Sequence, residues 1–319
     1  MGLTILFAKN MTHLFLTIII PTYNRPHLLP RAVESALGQT LDEIEVIVVD
    51  DASTEPVQLP EHPKLRVIRL EKNQGISAVR NIGAKAARSQ WITFLDDDDI
   101  LLPHHGEVAL KALRETTLPP PVAALSGMEV VTPTGQVLQT RIPPTLKRGA
   151  YFHLEDIPSD QSFLSKQTLV VERELLLGLG GYDEAFSSRE HTELFLRLNP
   201  VCSLLGIPAV TYRQTAHQGA RLSQADKLRQ IDFARLLRKH KTVFQAHPQG
   251  FANFLYSHAE KSYSQGQPLA VLQSLIVGNS PETAPYFGYP NLVPYRNQLN
   301  QQFGKKSSVV LEQSPKIDN

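Results

Sequence analysis

Short apolar runs alternate with helix-spaced stretches along the first hundred residues of the chain. The apolar runs are rich in β-branched residues and predict four buried strands, at residues 16–20, 45–49, 65–70 and 91–95. Two stretches between them have apolar residues spaced for one helix face, at residues 27–39 and 77–88. Ser77 is the expected N-cap of the second helix. This alternation predicts an α/β domain with a mixed, mainly parallel sheet flanked by helices.

Three prolines at residues 119–121 end a helix that begins near Pro103, where His104 and His105 are expected in solvent. The segments that follow predict a hairpin over residues 130–137, an irregular loop over 141–165, a strand over 169–171 and a helix over 190–198. From about residue 223 the chain is helical, and from residue 305 it is polar. The predicted organisation is an extension (1–13), a sheet domain (14–222), a helical region (223–304) and a disordered tail (305–319).

Net charge and cysteine content exclude several classes of protein. The chain has 32 Lys and Arg residues against 31 Asp and Glu residues, which gives no sign of a nucleic-acid partner. Cys202 is the only cysteine, so an intrachain disulfide is excluded, and we expect a small buried apolar side chain there. No apolar run reaches the roughly 18 residues of a membrane span, and the N-terminus lacks a signal-peptide pattern. We therefore expect a cytoplasmic protein.

Four consecutive aspartates, Asp96 to Asp99, directly follow the last of the four predicted strands. Adjacent like charges repel one another and raise carboxylate pKa values unless a cation or hydrogen-bond donors compensate. Hard divalent cations such as Mg²⁺ take oxygen ligands, often one or two carboxylates together with substrate phosphates. The run therefore predicts either a solvated acidic turn or a seat for a divalent metal.

Polar residues also follow the other three predicted strands, and ligands of parallel sheets bind at these carboxyl ends. The first turn lacks the glycine motifs of dinucleotide folds and P-loops, so a nucleotide site must be built differently. Tyr23 in that turn can stack on a base or simply lie at the surface. Asp50 and Asp51 after the second strand can accept hydrogen bonds from a ligand or cap the next segment.

Four segments in order carry a specific resemblance. They are TIIIPTYNR (17–25), VIVVDDAS (46–53), NQGISAVRN (73–81) and WITFLDDDD (91–99). Together they resemble the donor half of the inverting family 2 glycosyltransferases, which have a GT-A fold, and the resemblance covers about residues 14–225. It implies a nucleotide-binding half over 14–118 and an acceptor half over 119–222.

The resemblance also implies roles for the matching positions. The implied donor-binding residues are Pro21, Thr22, Tyr23, Asp51, Asn73, Arg80, Asp96 and Asp97. Among them Thr22, Tyr23 and Asp51 hold the base, usually uracil, and Asp97 falls at a variable position where its side chain can also point away. Asp98 and the more loosely matched His217 bind a metal that bridges the diphosphate, and Asp99 supports that site. For Arg80 and His217, surface positions are the structural alternatives.

The general base is expected in the second half of the chain. The segment 180–184 (GGYDE) and the helix start at 188–198 resemble the family pattern, but His191 stands where an aspartate base is usual. Neutral imidazole is a competent base, since an unperturbed histidine titrates near ~6.5. His191 is our first candidate, with Glu190 and Glu193 beside it as alternatives. A different base or an inactive site is also left open.

These expectations describe a metal-dependent, inverting glycosyltransferase that uses Mn²⁺ or Mg²⁺. The expected donor is a UDP-sugar, with GDP- and dTDP-sugars as alternatives, and the expected acceptor is a carbohydrate or lipid-linked hydroxyl in polysaccharide or glycoconjugate synthesis. One rival is a non-catalytic nucleotide-sugar-binding protein. A sugar-1-phosphate nucleotidyltransferase, the other rival, should open with a glycine-rich loop, which residues 21–25 do not provide. A basic face near residues 227–241 is either solvated or in peripheral contact with the inner face of a membrane.

Overall fold

The computed structural model describes residues 16–216 and 226–264 of the chain. The predicted N-terminal extension, His217 and the predicted tail from Lys305 lie outside the described residues, as does the helical region beyond Ser264. The chain divides after Leu236 into two compact units, and the first unit holds the sheet.

All four strands predicted in the first hundred residues are present. They are β1 (Leu16–Thr22), β2 (Ile44–Asp50), β3 (Leu65–Arg69) and β4 (Trp91–Phe94). β1 pairs in parallel with both β2 and β4, and β2 pairs in parallel with β3. Because the strands are parallel, the polar residues that follow them lie at one edge of the sheet.

Antiparallel pairing enters the sheet in its second half. The remaining strands are β5 (Ile100–Leu101), β6 (Val122–Val131), β7 (Val137–Arg141), β8 (Val170–Glu172) and β9 (Ser203–Thr215). The order is β3-β2-β1-β4-β8-β6-β9-β5, with β7 paired to β6 in the predicted hairpin. β8 runs antiparallel to β4 and β6, whereas β9 runs parallel to β6. The sheet is therefore mixed, with its parallel half formed by β1 to β4.

Helices cover both faces of the sheet. In the first unit they are α1 (Leu29–Leu37), α2 (Ile76–Ala86), α3 (His105–Glu115), α4 (Arg173–Gly178) and α5 (Glu190–Leu198). Ile18 and Ile20 of β1 join one core cluster with α1 and α3. Ile19 points to the opposite face and joins the other cluster with α2, α4 and α5. This alternation follows from the two-residue period of a strand, and it buries both faces.

Two local expectations from the sequence are wrong. Gly75, with a φ of 85°, caps α2 in place of Ser77, whose hydroxyl donates to the Phe186 carbonyl at 2.7 Å. His105 is fully buried instead of solvated, and its ring contacts the hydroxyls of Thr93 and Thr211. Burial, with a smaller effect of His104, lowers the pKa of His105 to about 4. Cys202 is buried, as expected.

The basic face predicted near residues 227–241 is only partly available on α6 (Asp226–Lys239). Arg229 is buried, and Arg235 forms an ion pair with Asp232 at 2.5 Å while its guanidinium lies over the Phe186 ring. In the second unit, α7 (Lys241–Ala246) and α8 (Pro248–Ser264) pack through Phe244, which stacks on Phe251. Among the described helices, none combines the length and apolar character that crossing a bilayer requires.

Candidate active site

A cleft of about 500 Å³ lies at the carboxyl ends of the parallel strands. The predicted donor-binding residues, Asp98 and two of the three candidate bases line it. These residues are Pro21, Thr22, Tyr23, Asp51, Asn73, Arg80, Asp96, Asp97, Asp98, Glu190 and His191. The turns after β1, β2 and β4 and the first turns of α2 and α5 therefore bring the two parts of the sequence pattern into one site.

Asp51 organises one end of the cleft. Its two carboxylate oxygens accept hydrogen bonds from the backbone amides of Gln74 at 2.7 Å and Gly75 at 2.9 Å. The Asn73 side chain donates to the Asp51 carbonyl at 3.3 Å. Tyr23 lines the same cleft with 47% of its surface exposed. This end therefore presents an aromatic face beside a fixed carboxylate, which are the groups that bind a nucleobase by stacking and hydrogen bonding.

Asp50 has a different role from its neighbour. Its buried carboxylate accepts hydrogen bonds from the amides of Ser53 and Val57 and from Arg69 at 2.7 Å. Burial acts to raise the pKa of Asp50, but these hydrogen bonds and Arg69 hold it below its usual value. Asp50 therefore stabilises the turn after β2, and Asp51 is the member of the pair that lines the cleft.

Three of the four consecutive aspartates converge. Asp96, Asp98 and Asp99 each place one carboxylate oxygen within 4.8 Å of the others. Asp99 is buried and accepts hydrogen bonds from the Tyr212 hydroxyl at 2.8 Å and the Thr215 amide at 3.0 Å. Burial, together with Asp96 and Asp98, raises the pKa of Asp99 well above its usual range. Clustered carboxylate oxygens with unfavourable mutual repulsion suit a hard divalent cation such as Mn²⁺ or Mg²⁺.

Asp97 points into the protein and does not face solvent. It accepts hydrogen bonds from the Thr22 hydroxyl at 2.7 Å and from Arg25 at 2.9 Å. The same Arg25 nitrogen donates to Asp98 at 3.1 Å. Burial raises the pKa of Asp97 to about 6, although Arg25 opposes that rise. Asp97 thus holds Arg25 against the acidic end of β4. Contact between Asp97 and a donor stays a prediction.

Arg80 of α2 connects the acidic strand end to the start of α5. Its guanidinium donates to Asp96 at 2.7 Å and to Glu190 at 2.8 Å, and it lies 5.3 Å from the centre of the Tyr182 ring. Only 2% of Arg80 is exposed. Burial acts to lower the pKa of Arg80, but Asp96 and Glu190 raise it above its usual value. Arg80 is therefore a permanently charged bridge inside the site, which excludes the surface position considered from the sequence.

His191 lies in the first turn of α5 with its side chain almost buried. Its Nδ1 is 3.3 Å from the Tyr182 hydroxyl, and its Nε2 is 3.8 Å from a Glu190 carboxylate oxygen. Burial, Arg80 and Lys166 hold the pKa of His191 well below its usual value. The imidazole is therefore neutral at neutral pH, which is the protonation state that a general base requires.

Glu193, considered as an alternative base, is fully buried and forms an ion pair with Arg197 at 2.6 Å. It does not line the cleft, whereas Glu190 does. The ion pair between Glu193 and Arg197 follows from their spacing of one helical turn on α5. The structure thus leaves His191 and Glu190 as the titratable groups of this helix at the cleft.

Sequence reasoning assigned no role to three further residues that line the cleft, Arg25, Gln167 and Arg189. Arg25 lies inside the first matching segment and Arg189 directly precedes Glu190. Their positions in the sequence could therefore have marked both as candidate site residues. Gln167 lies in a short 3₁₀ helix (Lys166–Thr168) inside a region without periodicity, and nothing in the pattern marks it.

Comparison with solved structures identifies the fold. The fold matches that of S. aureus TarS (residues 1–349) in complex with UDP-GlcNAc, with a TM-score of 0.60 and 21% identity over 86% of this chain and 78% of TarS. A second structure of S. aureus TarS (residues 1–349) matches with a TM-score of 0.56 and 20% identity over 82% of this chain and 80% of TarS. The mixed sheet with flanking helices is therefore the GT-A fold of glycosyltransferases.

Sequence comparison then gives the family. Residues 17–119 match the family model described as "Glycosyl transferase family 2". This match covers about the first third of the chain and agrees with the resemblance of its four segments. An uncharacterised glycosyltransferase of Haemophilus influenzae is 30% identical over 190 residues, which cover 57% of this chain and 61% of that protein. ExoO of Rhizobium meliloti, a succinoglycan biosynthesis protein, is 40% identical over 92 residues, or 27% of this chain and 26% of ExoO. The chain thus spans less than two thirds of these relatives.

Proposed function

We propose that the chain is a metal-dependent, inverting glycosyltransferase that moves a sugar from a UDP-sugar to a hydroxyl acceptor. One observation carries the proposal: a single cleft is lined by an exposed aromatic side chain (Tyr23), a cluster of carboxylates and the imidazole of His191. The match of residues 17–119 to the glycosyl transferase family 2 model supports sugar transfer as the reaction and gives no support to a sugar-1-phosphate nucleotidyltransferase.

In this proposal the donor lies along the strand ends. The base stacks on Tyr23 and bonds to Asp51, while Thr22 supports the turn through its hydrogen bond to Asp97. Asp96, Asp98 and Asp99 are the described residues that would hold a divalent cation, and His217 remains a predicted ligand. When bound there, the cation supplies neutralisation of the charge that develops on the leaving diphosphate.

His191 acts as the general base in the proposed mechanism. The pKa of the Tyr182 hydroxyl is raised, by burial above all, so it stays protonated, and its oxygen can accept a hydrogen bond from Nδ1–H of His191. This tautomer leaves the Nε2 lone pair free to take the proton of the attacking hydroxyl. The Glu190 carboxylate, 3.8 Å from Nε2, then stabilises the imidazolium. Arg80 fixes that carboxylate through its 2.8 Å hydrogen bond.

The choice of donor and pathway rests on the relatives. TarS in complex with UDP-GlcNAc supports a UDP-sugar before GDP- or dTDP-sugars. ExoO supports an acceptor in polysaccharide synthesis, either a carbohydrate or a lipid-linked hydroxyl. A cytoplasmic location and peripheral membrane contact stay predictions from the sequence.

A direct test combines binding and turnover. UDP-GlcNAc with Mn²⁺ should raise the melting temperature of the protein, and chelation of Mn²⁺ with EDTA should remove that rise. Release of UDP from UDP-GlcNAc in an acceptor screen should follow, and NMR of the product should show inversion at the anomeric carbon. Binding without hydrolysis or transfer would favour the non-catalytic nucleotide-sugar-binding protein instead. Retention at the anomeric carbon would contradict the inverting mechanism.

A further inference from the structure

Arg189 is a cation of the cleft to which the proposed mechanism gives no role. It is the N-cap residue of α5, directly before Glu190 and His191, and its guanidinium lies 4.8 Å from the centre of the Phe233 ring. Its Nε and Nη2 atoms are shielded from solvent, and neither has a hydrogen-bond partner among the described residues. Burial and the neighbouring Arg229 lower the pKa of Arg189 to about 9. A shielded guanidinium with unused donors is unfavourable by itself, and an anion in the cleft would relieve this.

Asp232 is the carboxylate that acts to raise the pKa of Arg189, but it already has other hydrogen-bond partners. One of its oxygens accepts hydrogen bonds from the amides of Ser187 at 3.0 Å and Ser188 at 2.8 Å, and from the Ser188 hydroxyl. The other oxygen accepts from Arg235 at 2.5 Å. Asp232 therefore offsets the charge of Arg189 only in part, and the local balance stays positive.

Gln167 adds an unused acceptor to the same cleft. Its carboxamide oxygen is shielded from solvent and has no partner within the described part of the chain. The adjacent Lys166 donates to the Thr192 hydroxyl at 2.8 Å and contacts His153 at 3.0 Å, so its ammonium adds positive charge behind His191. The lining of the cleft thus combines unused guanidinium donors with an amide oxygen that can accept from a hydroxyl.

We propose that Arg189 and Gln167 form an acceptor subsite for a hydroxyl compound that carries an anionic group, either a phosphate or a carboxylate. In this subsite Arg189 binds the anion through Nε and Nη2, and Gln167 accepts a hydrogen bond from a hydroxyl of the acceptor. This inference rests on the proposed function, because it assumes that His191 activates that acceptor.

The position of the two residues favours acceptor over donor. The donor's diphosphate is assigned to the Asp96 side of the cleft, where Arg80 is already fixed by Asp96 and Glu190. Arg189 lies two residues before His191 in the chain, and both line the cleft, which places Arg189 next to the proposed base. Paired guanidinium N–H groups suit the oxygens of phosphate and carboxylate.

The test uses three methyl glucosides with the full-length protein saturated with UDP and Mn²⁺. They are methyl glucoside, its 6-phosphate and methyl glucuronide, which differ only in a neutral, phosphate or carboxylate group. Calorimetric titration should show at least tenfold tighter binding of one or both anionic compounds than of methyl glucoside. The two anionic compounds separate phosphate from carboxylate recognition. Equal affinity for all three compounds, or binding of none, would overturn the subsite.

Variants assign the effect to the residues. Arg189→Gln should abolish the tighter binding of the anionic compounds, and Arg189→Lys should keep part of it. Gln167→Ala should weaken the binding of all three compounds by a similar factor. Arg148→Gln removes an exposed arginine outside the cleft and should leave the affinities for all three compounds as in wild type. Titration of UDP with Mn²⁺ on each variant separates the two proposals. Loss of UDP affinity in Arg189→Gln would move Arg189 to the donor site and refute the inference, whereas failure of the wild type to bind UDP would count against the proposed function.

Discussion

His191 occupies the position where the resembled family usually carries aspartate, and its surroundings determine how it can act. Burial, Arg80 and Lys166 keep the imidazole neutral. We therefore expect removal of the His191 side chain to reduce turnover and to leave donor binding intact. His191→Ala should lower kcat by about 10²-fold or more, the usual contribution of a general base, with an unchanged affinity for UDP and Mn²⁺. His191→Asp should retain most of the turnover. Steady-state rates and calorimetric UDP titration measure both quantities, and full activity of His191→Ala would move the base elsewhere.

Asp98 is the aspartate on which metal binding depends most in our proposal. Asp98→Asn keeps a similar shape but removes one of three converging negative charges. We expect Mn²⁺ to stop strengthening UDP binding in this variant, because the cation loses a charged ligand. Calorimetric titration of UDP with and without Mn²⁺ measures the difference. Asp42→Asn, at a fully exposed side chain 4.0 Å from Lys64, is the matched control and should behave as wild type. Unchanged Mn²⁺ dependence in Asp98→Asn would refute the metal role.

Only part of the site could be read from single residues. The polar positions at strand ends were visible because each follows an apolar run. The residues alone did not distinguish Asp50 from Asp51, and only the family resemblance selected Asp51. The physical difference depends on Arg69 and Ser53, which contact Asp50 in the folded protein. Arg189 was also missed, since unused hydrogen-bond donors become visible only when all neighbours of a side chain are known.

At the scale of elements, the two glycines before α5 differ in what surrounds them. Both have positive φ, 83° at Gly180 and 71° at Gly181. A Cβ on Gly180 would meet nothing within 4 Å, whereas one on Gly181 would lie 2.3 Å from the Asn81 side-chain oxygen. That oxygen accepts from the Tyr182 amide at 2.8 Å and ties α2 to this turn. The backbone at Gly181 therefore packs closely against Asn81.

The pair of glycines gives a matched test. Gly180→Ala should cost about 1–2 kcal/mol, because it only forces a side chain into the left-handed region. Gly181→Ala should cost about 1–3 kcal/mol more, because it adds a clash in a packed region. The free energy of unfolding from urea titration measures both. Equal losses in the two variants would show that the contact with Asn81 is not a constraint.

Element prediction succeeded where the apolar pattern was regular. The helix over 190–198 was predicted with the observed ends, since α5 has a consistent apolar face. The strand β9 was missed because its burial is irregular, its register shifts opposite Gly127, and it contains Gly206 and Pro208. A β-strand pattern with such interruptions cannot be distinguished from a loop by periodicity alone.

At the scale of the whole molecule, the site joins the two halves of the first unit. The acidic end of β4 belongs to the parallel half, whereas α5 follows the antiparallel strand β8. Arg80 spans the two through its contacts with Asp96 and Glu190. The parallel half was predictable from its alternating pattern, but antiparallel insertion of β8 next to β4 was not, because pairing between distant strands leaves no local signal. Charge compensation at Arg80 therefore connects the acidic end of β4 to the first turn of α5 through the tertiary fold.

The buried His105 should make the stability of the whole fold sensitive to acid. Its pKa of about 4 in the folded protein lies below the value of about 6.5 expected in the unfolded chain. Between these values the unfolded chain binds more protons, so the free energy of unfolding decreases as pH falls from about 6.5 towards 4. The contribution is at most about 3 kcal/mol, at 1.36 kcal/mol for each pKa unit.

His105→Gln removes this titration while keeping a polar side chain between Thr93 and Thr211. We expect it to be less stable than wild type at pH 7 but to lose less stability between pH 6.5 and 4. Urea titrations across this range measure the slopes. The exposed His27 offers the control, because His27→Gln should leave the wild-type slope unchanged. His153 and His191, whose pKa values are also lowered by burial above all, contribute equally to all three proteins. A slope in His105→Gln as steep as in wild type would show that this histidine does not control the acid sensitivity of the fold.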